Sequence, residues 1–131
     1  PLAVQHLLAG QSKPGLAVVL SDLLGPLGLD AALRRFRYER YEPMVVHTLS
    51  PEEIEPALTG DLRLVDSETG SHVDVSATPR VQKAYRTRLA RFRRETRQIA
   101  RKTATEYIFT STDTPLETLL LDWMRRANIL T

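Results

Sequence analysis

The sequence predicts an α/β fold in which helices lie on both faces of a parallel sheet. Three observations predict it. Short apolar, β-rich runs recur at Leu16–Leu20, Met44–Leu49 and Glu106–Phe109, each bounded by proline, glycine or polar breakers. Amphipathic helical stretches separate them, and strands that alternate with helices pair in parallel through right-handed crossovers. The first two runs are continuously apolar rather than alternating, which is how strands buried on both faces read.

Taken in order, Val4, Leu7 and Leu8 sit at helical spacing before Gly10, so Leu2–Ala9 reads as the end of a helix packing on the sheet. Leu16–Leu20 follows Pro14-Gly15 as the first strand. After Gly25-Pro26 a helix is expected from about Leu27 to Arg40, with Leu29, Ala32, Leu33 and Phe36 as its inner face. Tyr41-Glu42-Pro43 closes it, because the residue before a proline avoids the α region. Met44–Leu49 is the second strand. Ser50-Pro51-Glu52-Glu53 has the form of a capping box, with proline at the first helical position and glutamate at the third.

Asp61–Asp66 and His72–Val75 alternate apolar and polar residues around a Gly70-containing loop, which predicts a hairpin with one face packed and one wet. Thr78-Pro79 opens the longest helix, to about Lys102, with Val81, Tyr85, Leu89, Phe92, Thr96 and Ile99 as a narrow apolar stripe. Glu106–Phe109 is the third strand. Thr114-Pro115-Leu116-Glu117 repeats the capping signal and starts a last helix whose stripe is Leu116, Leu119, Leu120, Trp123 and Ala127. No repeat, low-complexity tract or linker divides residues 1–131, so a single domain is expected.

The 131 residues suffice for one hydrophobic core. With no cysteine, disulfides and thiolate metal sites are excluded. Apolar runs of about five residues fall far short of the ~20 that cross a bilayer. No secretory leader is legible, and a chain opening on Pro1 reads as beginning inside a longer gene product. A soluble, cytoplasmic protein is the expectation. The net charge is only +2, yet ten Arg or Lys and a single acid, Glu95, fall between Pro79 and Thr103, which leaves the remainder at −7. That asymmetry is the strongest compositional feature.

Several strings together resemble one family. They are Val18-Val-Leu-Ser-Asp22 before a helix, the second strand with His47 and Ser50-Pro-Glu-Glu53, and Gly60-Asp-Leu-Arg-Leu-Val-Asp66-Ser-Glu-Thr-Gly70. The Tyr85 helix and the Tyr107…Ser111-Thr-Asp113-x-Pro115-Leu116 ending complete them. The chain is similar to the carboxyl-terminal half of a domain-of-unknown-function-58 protein, a von Willebrand factor A-like domain. The resemblance implies part of a Rossmann-type three-layer sandwich with three parallel strands plus a β-hairpin. It implies a non-enzymatic interaction domain acting with a MoxR-type AAA+ ATPase in complex assembly. It also implies a divalent cation at the carboxyl edge of the sheet, where Asp22, with Ser21, matches one ligand position. The Asp-x-Ser-x-Ser loop that completes such a site does not occur in this sequence. The expectation is therefore no cofactor in this chain and Mg²⁺ only in the full-length parent. The absent first strand of the family would pair beside Leu16–Leu20, so self-association through strand 16–20, or pairing of that edge with the absent segment, is expected.

Each candidate has a plainer reading. Asp22 sits where ligands of open α/β sheets gather, and equally suits a cap on the following turn. His47, Thr110 and Asp113 approach the same edge; packed histidines and polar loop residues account for them too. Glu68-Thr69-Gly70 is a contact tip or simply a turn that needs glycine. The basic surface of Arg86, Arg91, Arg94 and Arg97 offers an alternative function, binding of nucleic acid or an acidic partner by helix 79–102. The arginines spread around the helix with no interleaved aromatics for base stacking, which argues against nucleic acid. Phospho-acceptor chemistry at Asp22 would need further acids and a lysine at that edge, and Lys13, Lys83 and Lys102 are not placed there. No enzymatic activity is expected.

Overall fold

The computed structural model describes residues 13–24, 28–57, 59–66 and 69–126. The expected helix over Leu2–Ala9 lies outside them, as do Leu27, Glu68 and Ala127. In chain order the elements are β1 (Leu16–Ser21), α1 (Leu29–Tyr38), β2 (Glu42–Leu49), α2 (Pro51–Ile54), β3 (Gly60–Val65), β4 (His72–Ala77), α3 (Pro79–Lys102), β5 (Glu106–Ser111) and α4 (Leu116–Arg126).

β1, β2 and β5 form a three-stranded sheet in that order, and both pairings are parallel. Each crossover steps the sheet in the same direction, so right-handed connections put α1 and α3 on one face. Leu29, Ala32, Leu33 and Phe36, at spacings of three and four, are all buried there. Leu23, Leu29 and Leu33 meet Val45, Tyr107 and Ala100 of α3 in the main core, with Phe92, Ile99 and Phe109 packed around it. α4 covers the opposite face, setting Leu119 and Trp123 against Met44, Val46 and Ile108. The sandwich is the one the sequence predicts, with β2 at its centre.

Two caps fix where helices begin. The Ser50 hydroxyl accepts from the Glu53 amide at 3.2 Å, and the Glu53 carboxylate accepts from the Ser50 amide at 2.7 Å, the reciprocal bonds of a capping box. Thr78 accepts from the Val81 amide, and Pro79 occupies the first turn of α3.

Two expectations need correction. β1 is not buried on both faces. Ala17 and Val19 face α1 and the core, but Leu16, Val18 and Leu20 are 54%, 52% and 68% exposed. The register places Val18 beside Met44 and Leu20 beside Val46, and among the described residues α4 packs its Leu119 and Trp123 on those neighbours and Ile108. The hairpin is also wetter than predicted. β3 and β4 pair antiparallel, but Leu64, Val65 and Val73 are exposed and no residue of either strand is buried. Its alternation set the register without providing a layer large enough to cover the apolar side.

Candidate functional site

Parallel strands deliver their ends to one rim, and here that rim carries Ser21 and Asp22, His47 to Ser50, and Thr110 to Asp113. Ser21 is level with His47, and His47 with Phe109; Thr48 is level with Thr110. Asp22, one residue past Ser21, therefore lies about two strand spacings, or ~10 Å, from Thr110. The Thr112 amide donates to the Leu49 carbonyl at 2.9 Å, tying the β5 exit to β2. Asp113 is exposed in the turn that follows.

The β1 exit is strained and held. Leu23 adopts φ +59°, a left-handed conformation that costs a leucine about 1–2 kcal/mol. Its side chain is only 2% exposed in the main core, and full burial of a leucine contributes about 1.5–3 kcal/mol. Burial outweighs the strain. The Ser21 hydroxyl accepts from the Leu23 amide at 3.0 Å, and an Asp22 carboxylate oxygen accepts from the Leu24 amide at 3.1 Å. Asp22 is thus presented outward on a braced turn, with one oxygen already serving that turn.

Beneath it lies a polar cluster that strand patterning alone does not reveal. His47 is fully buried. Its Nδ1 is 2.8 Å from the Tyr107 hydroxyl. The rings of Phe92 and Phe109 meet it edge-on at 5.6 and 5.2 Å. Nε2 has no hydrogen-bond partner within normal geometry. Burial pushes the His47 pKa below its ordinary value; the Asp22 backbone and carboxylate pull it back up, and Arg93 reinforces the depression. Burial also raises the Tyr107 hydroxyl, an effect opposed by the charges of Arg93 and Arg97. The Arg93 guanidinium lies 3.5 Å above the Phe109 ring, a cation–π contact that shuts the cluster from α3. The signal for this cluster was present as His47, Tyr107 and Phe109 at inward positions of adjacent strands. The partner on α3 could not be chosen among so many arginines.

These donors do not fit a tight site for a hard cation. Mg²⁺ demands near-octahedral oxygen ligation. The rim offers two carboxylates, Asp22 and Asp113, at the exits of the two outer strands β1 and β5, and the Ser21 hydroxyl beside Asp22 is engaged by the Leu23 amide. Among the described residues, no three His, Asp or Glu side chains are grouped to hold a metal.

Of the predicted basic surface, Arg86 pairs with Glu55 and Arg91 with Glu95, both at 2.7 Å and both exposed. Arg97 lies 5.7 Å from the Tyr107 ring, and Arg94 is exposed. All four lie on α3 rather than on the strand exits that make up the rim.

With this geometry in place, comparison with known proteins adds the lineage. The family described as "Protein of unknown function DUF58" matches residues 1–98. The chain belongs to the DUF58 family. Uncharacterized proteins of Mycobacterium bovis and Mycobacterium tuberculosis are each 32% identical to it over 78 residues, covering 60% of this chain and 24% of theirs. An uncharacterized Mycobacterium avium protein is 34% identical over 68 residues, covering 52% of this chain and 40% of its own. This DUF58 chain therefore spans less than half the length of the curated relatives it matches. No solved structure matches it significantly. Among the described residues of this DUF58 chain, no helix is long and apolar enough to cross a membrane.

Proposed function

We propose that this DUF58 chain is a non-enzymatic protein-interaction module of von Willebrand factor A-like type. Its contact region is β1, with the braced Asp22 turn at its end. The observation that carries the reading is the bare face of β1. Leu16, Val18 and Leu20 continue the apolar surface of Met44, Val46 and Ile108 but lack the cover that α4 gives those neighbours. β1 also ends the sheet, so its outer edge is unpaired among the described residues. Apolar strand edges of this kind take up another strand. Resemblance, rather than geometry, supports a MoxR-type AAA+ ATPase as the partner in complex assembly, with the family's cation site left incomplete at Asp22 and Ser21.

Sedimentation velocity across a hundredfold concentration range tests the contact. The wild type is expected to self-associate through strand 16–20 or to bind the ATPase. Val18→Glu and Leu20→Glu are expected to abolish that association while leaving the circular dichroism spectrum unchanged. A wild type that neither self-associates nor binds a MoxR-type ATPase, in sedimentation or polarisation, would sink the proposal. Asp22→Ala separates the rim from the strand face: weaker ATPase binding with self-association intact assigns the partner to the rim.

A further inference from the structure

Helix α3 has two unlike sides. Val81 and Tyr85 turn toward the hairpin, Phe92 and Ile99 pack on the main core, and Thr96 and Ala100 are buried beside them. Residues three, four or seven apart share a helix face. On the opposite side that spacing selects Arg80, Lys83, Arg91, Arg94 and Arg101, and all five are exposed. Ala84, Thr87 and Gln98 fill the places between them, so no large apolar residue interrupts the row. At ~1.5 Å of rise per residue the row runs ~31 Å, nearly the whole length of the helix.

Four of these cations, Arg80, Lys83, Arg94 and Arg101, make no ion pair among the described residues. The fifth, Arg91, pairs with Glu95 at 2.7 Å, and both partners are well exposed. Glu95 is the single acid of α3. A solvent-exposed pair of this kind is worth little, so Arg91 is readily drawn to a denser anion. Like charges that neighbour each other on one helix face repel, and a counter-charge from outside the chain relieves that repulsion.

We propose that this row docks on double-stranded DNA through phosphate contacts, without reading its sequence. Energetics favour this occupant over an acidic protein. Exposed ion pairs between proteins gain little net free energy, and with no apolar residue in the row nothing else offsets the freedom lost on association. A duplex differs because its phosphates hold condensed counterions, and each cation that replaces them gains from their release. The dimensions agree, since one duplex turn is about 34 Å and the row ~31 Å. Aromatic stacking platforms serve unpaired bases. Their absence here argues against single strands but not against a duplex, which keeps its own bases stacked. Arginine's planar fork also suits phosphate oxygens. The inference is independent of the β1 contact, which shares no residue with α3.

The test uses the whole 131-residue chain and fluorescence polarisation. The probes are a short DNA duplex in two unrelated sequences, one of its single strands, and a polyglutamate peptide. With five phosphates neutralised, log affinity is expected to fall against log salt with a slope of about −4.5, or about 500-fold between about 0.05 and 0.2 M. Both duplex sequences are expected to bind alike, and about tenfold or more tighter than the single strand or polyglutamate. Arg91→Gln with Arg94→Gln is expected to bring the slope to about −2.7. Arg80→Gln with Lys83→Gln is expected to do the same, and the melting curve of each variant checks that the fold is kept. Arg34→Gln with Arg35→Gln removes equal charge from the exposed face of α1 and is expected to leave the slope at its wild-type value. A wild-type slope shallower than about −2 would overturn the proposal. So would single strand or polyglutamate binding as tightly as the duplex, or an equal loss in the α1 variant.

Discussion

Lowering the pH tests the buried His47 cluster directly. In the unfolded chain the imidazole titrates at its ordinary value of 6.5. In the folded chain burial is the largest influence and holds it lower; the Asp22 backbone and carboxylate offset this only in part. The folded pKa therefore lies below the unfolded one, and the sign follows from linkage. Above pH 6.5 both states carry a neutral ring, and the group has no effect on the slope. Below 6.5 the unfolded state binds a proton that the folded state refuses, so stability falls as pH falls. The loss approaches ~1.4 kcal/mol per pH unit and levels off once the folded pKa is passed. A domain of this size has only about 5–15 kcal/mol in total, so one unit of depression is a measurable fraction.

The assay is urea unfolding from about pH 8 to about pH 5, on the wild type and on His47→Gln. Glutamine keeps a hydrogen-bonding group beside the Tyr107 hydroxyl and does not titrate. Other ionisable groups contribute the same slope to both proteins, so the difference between the two curves isolates His47. That difference is expected to be constant above pH 6.5 and to move against the wild type below it. A flat difference across the whole range would refute the reasoning. It would mean that the ring protonates as easily inside the fold as outside, and is therefore not sealed by Phe92, Phe109 and Tyr107.

Three further outcomes are expected. Tyr107→Phe removes the 2.8 Å partner of His47 Nδ1 and leaves a buried nitrogen unpaired, costing about 1–3 kcal/mol in chemical unfolding. Leu33→Ala, at a fully buried site of the main core, is expected to cost about 2–5 kcal/mol, whereas Leu20→Ala on the bare β1 face should cost under about 1 kcal/mol in the same assay. Ser50→Ala breaks the capping box and is expected to lower stability by about 0.5–2 kcal/mol, with Ser50→Asp restoring most of it.

How much of this was legible in the sequence depends on which force decides each feature. Helix faces and starts were legible because they are local: Leu29, Ala32, Leu33 and Phe36 were read as the inner face, and all are buried. Ser50-Pro-Glu-Glu53 was read as a capping box, and both of its bonds are present. The parallel order followed from strands alternating with helices. The burial of β1 was misread because a continuous apolar run states that both faces are apolar, not that both are covered. Cover is a property of the whole sheet, and among the described residues α4 packs on β2 and β5. The hairpin misled for a related reason. Alternation fixed which residues share a face, but among the described residues the layer over its apolar side is the exposed half of α3.

The rim shows the same limit at finer scale. Asp22 was recognisable from its place after a strand, but the strain that presents it was not, because nothing in Ser-Asp-Leu-Leu announces a left-handed leucine. Glycine or asparagine would be the usual residue at such a φ. Leucine is tolerated there because the same backbone turn that strains it drives its side chain among Leu29, Leu33 and Val45. The strain and the burial thus have a single cause, and that couples the rim to the core. Any change that loosens the packing around Leu23 also releases the Asp22 turn, so a cavity at Leu33 should raise amide exchange at Leu23 and Leu24 before it raises exchange in β2. If Leu33→Ala instead loosened β2 first, the turn would owe its shape to the Ser21 and Asp22 hydrogen bonds alone.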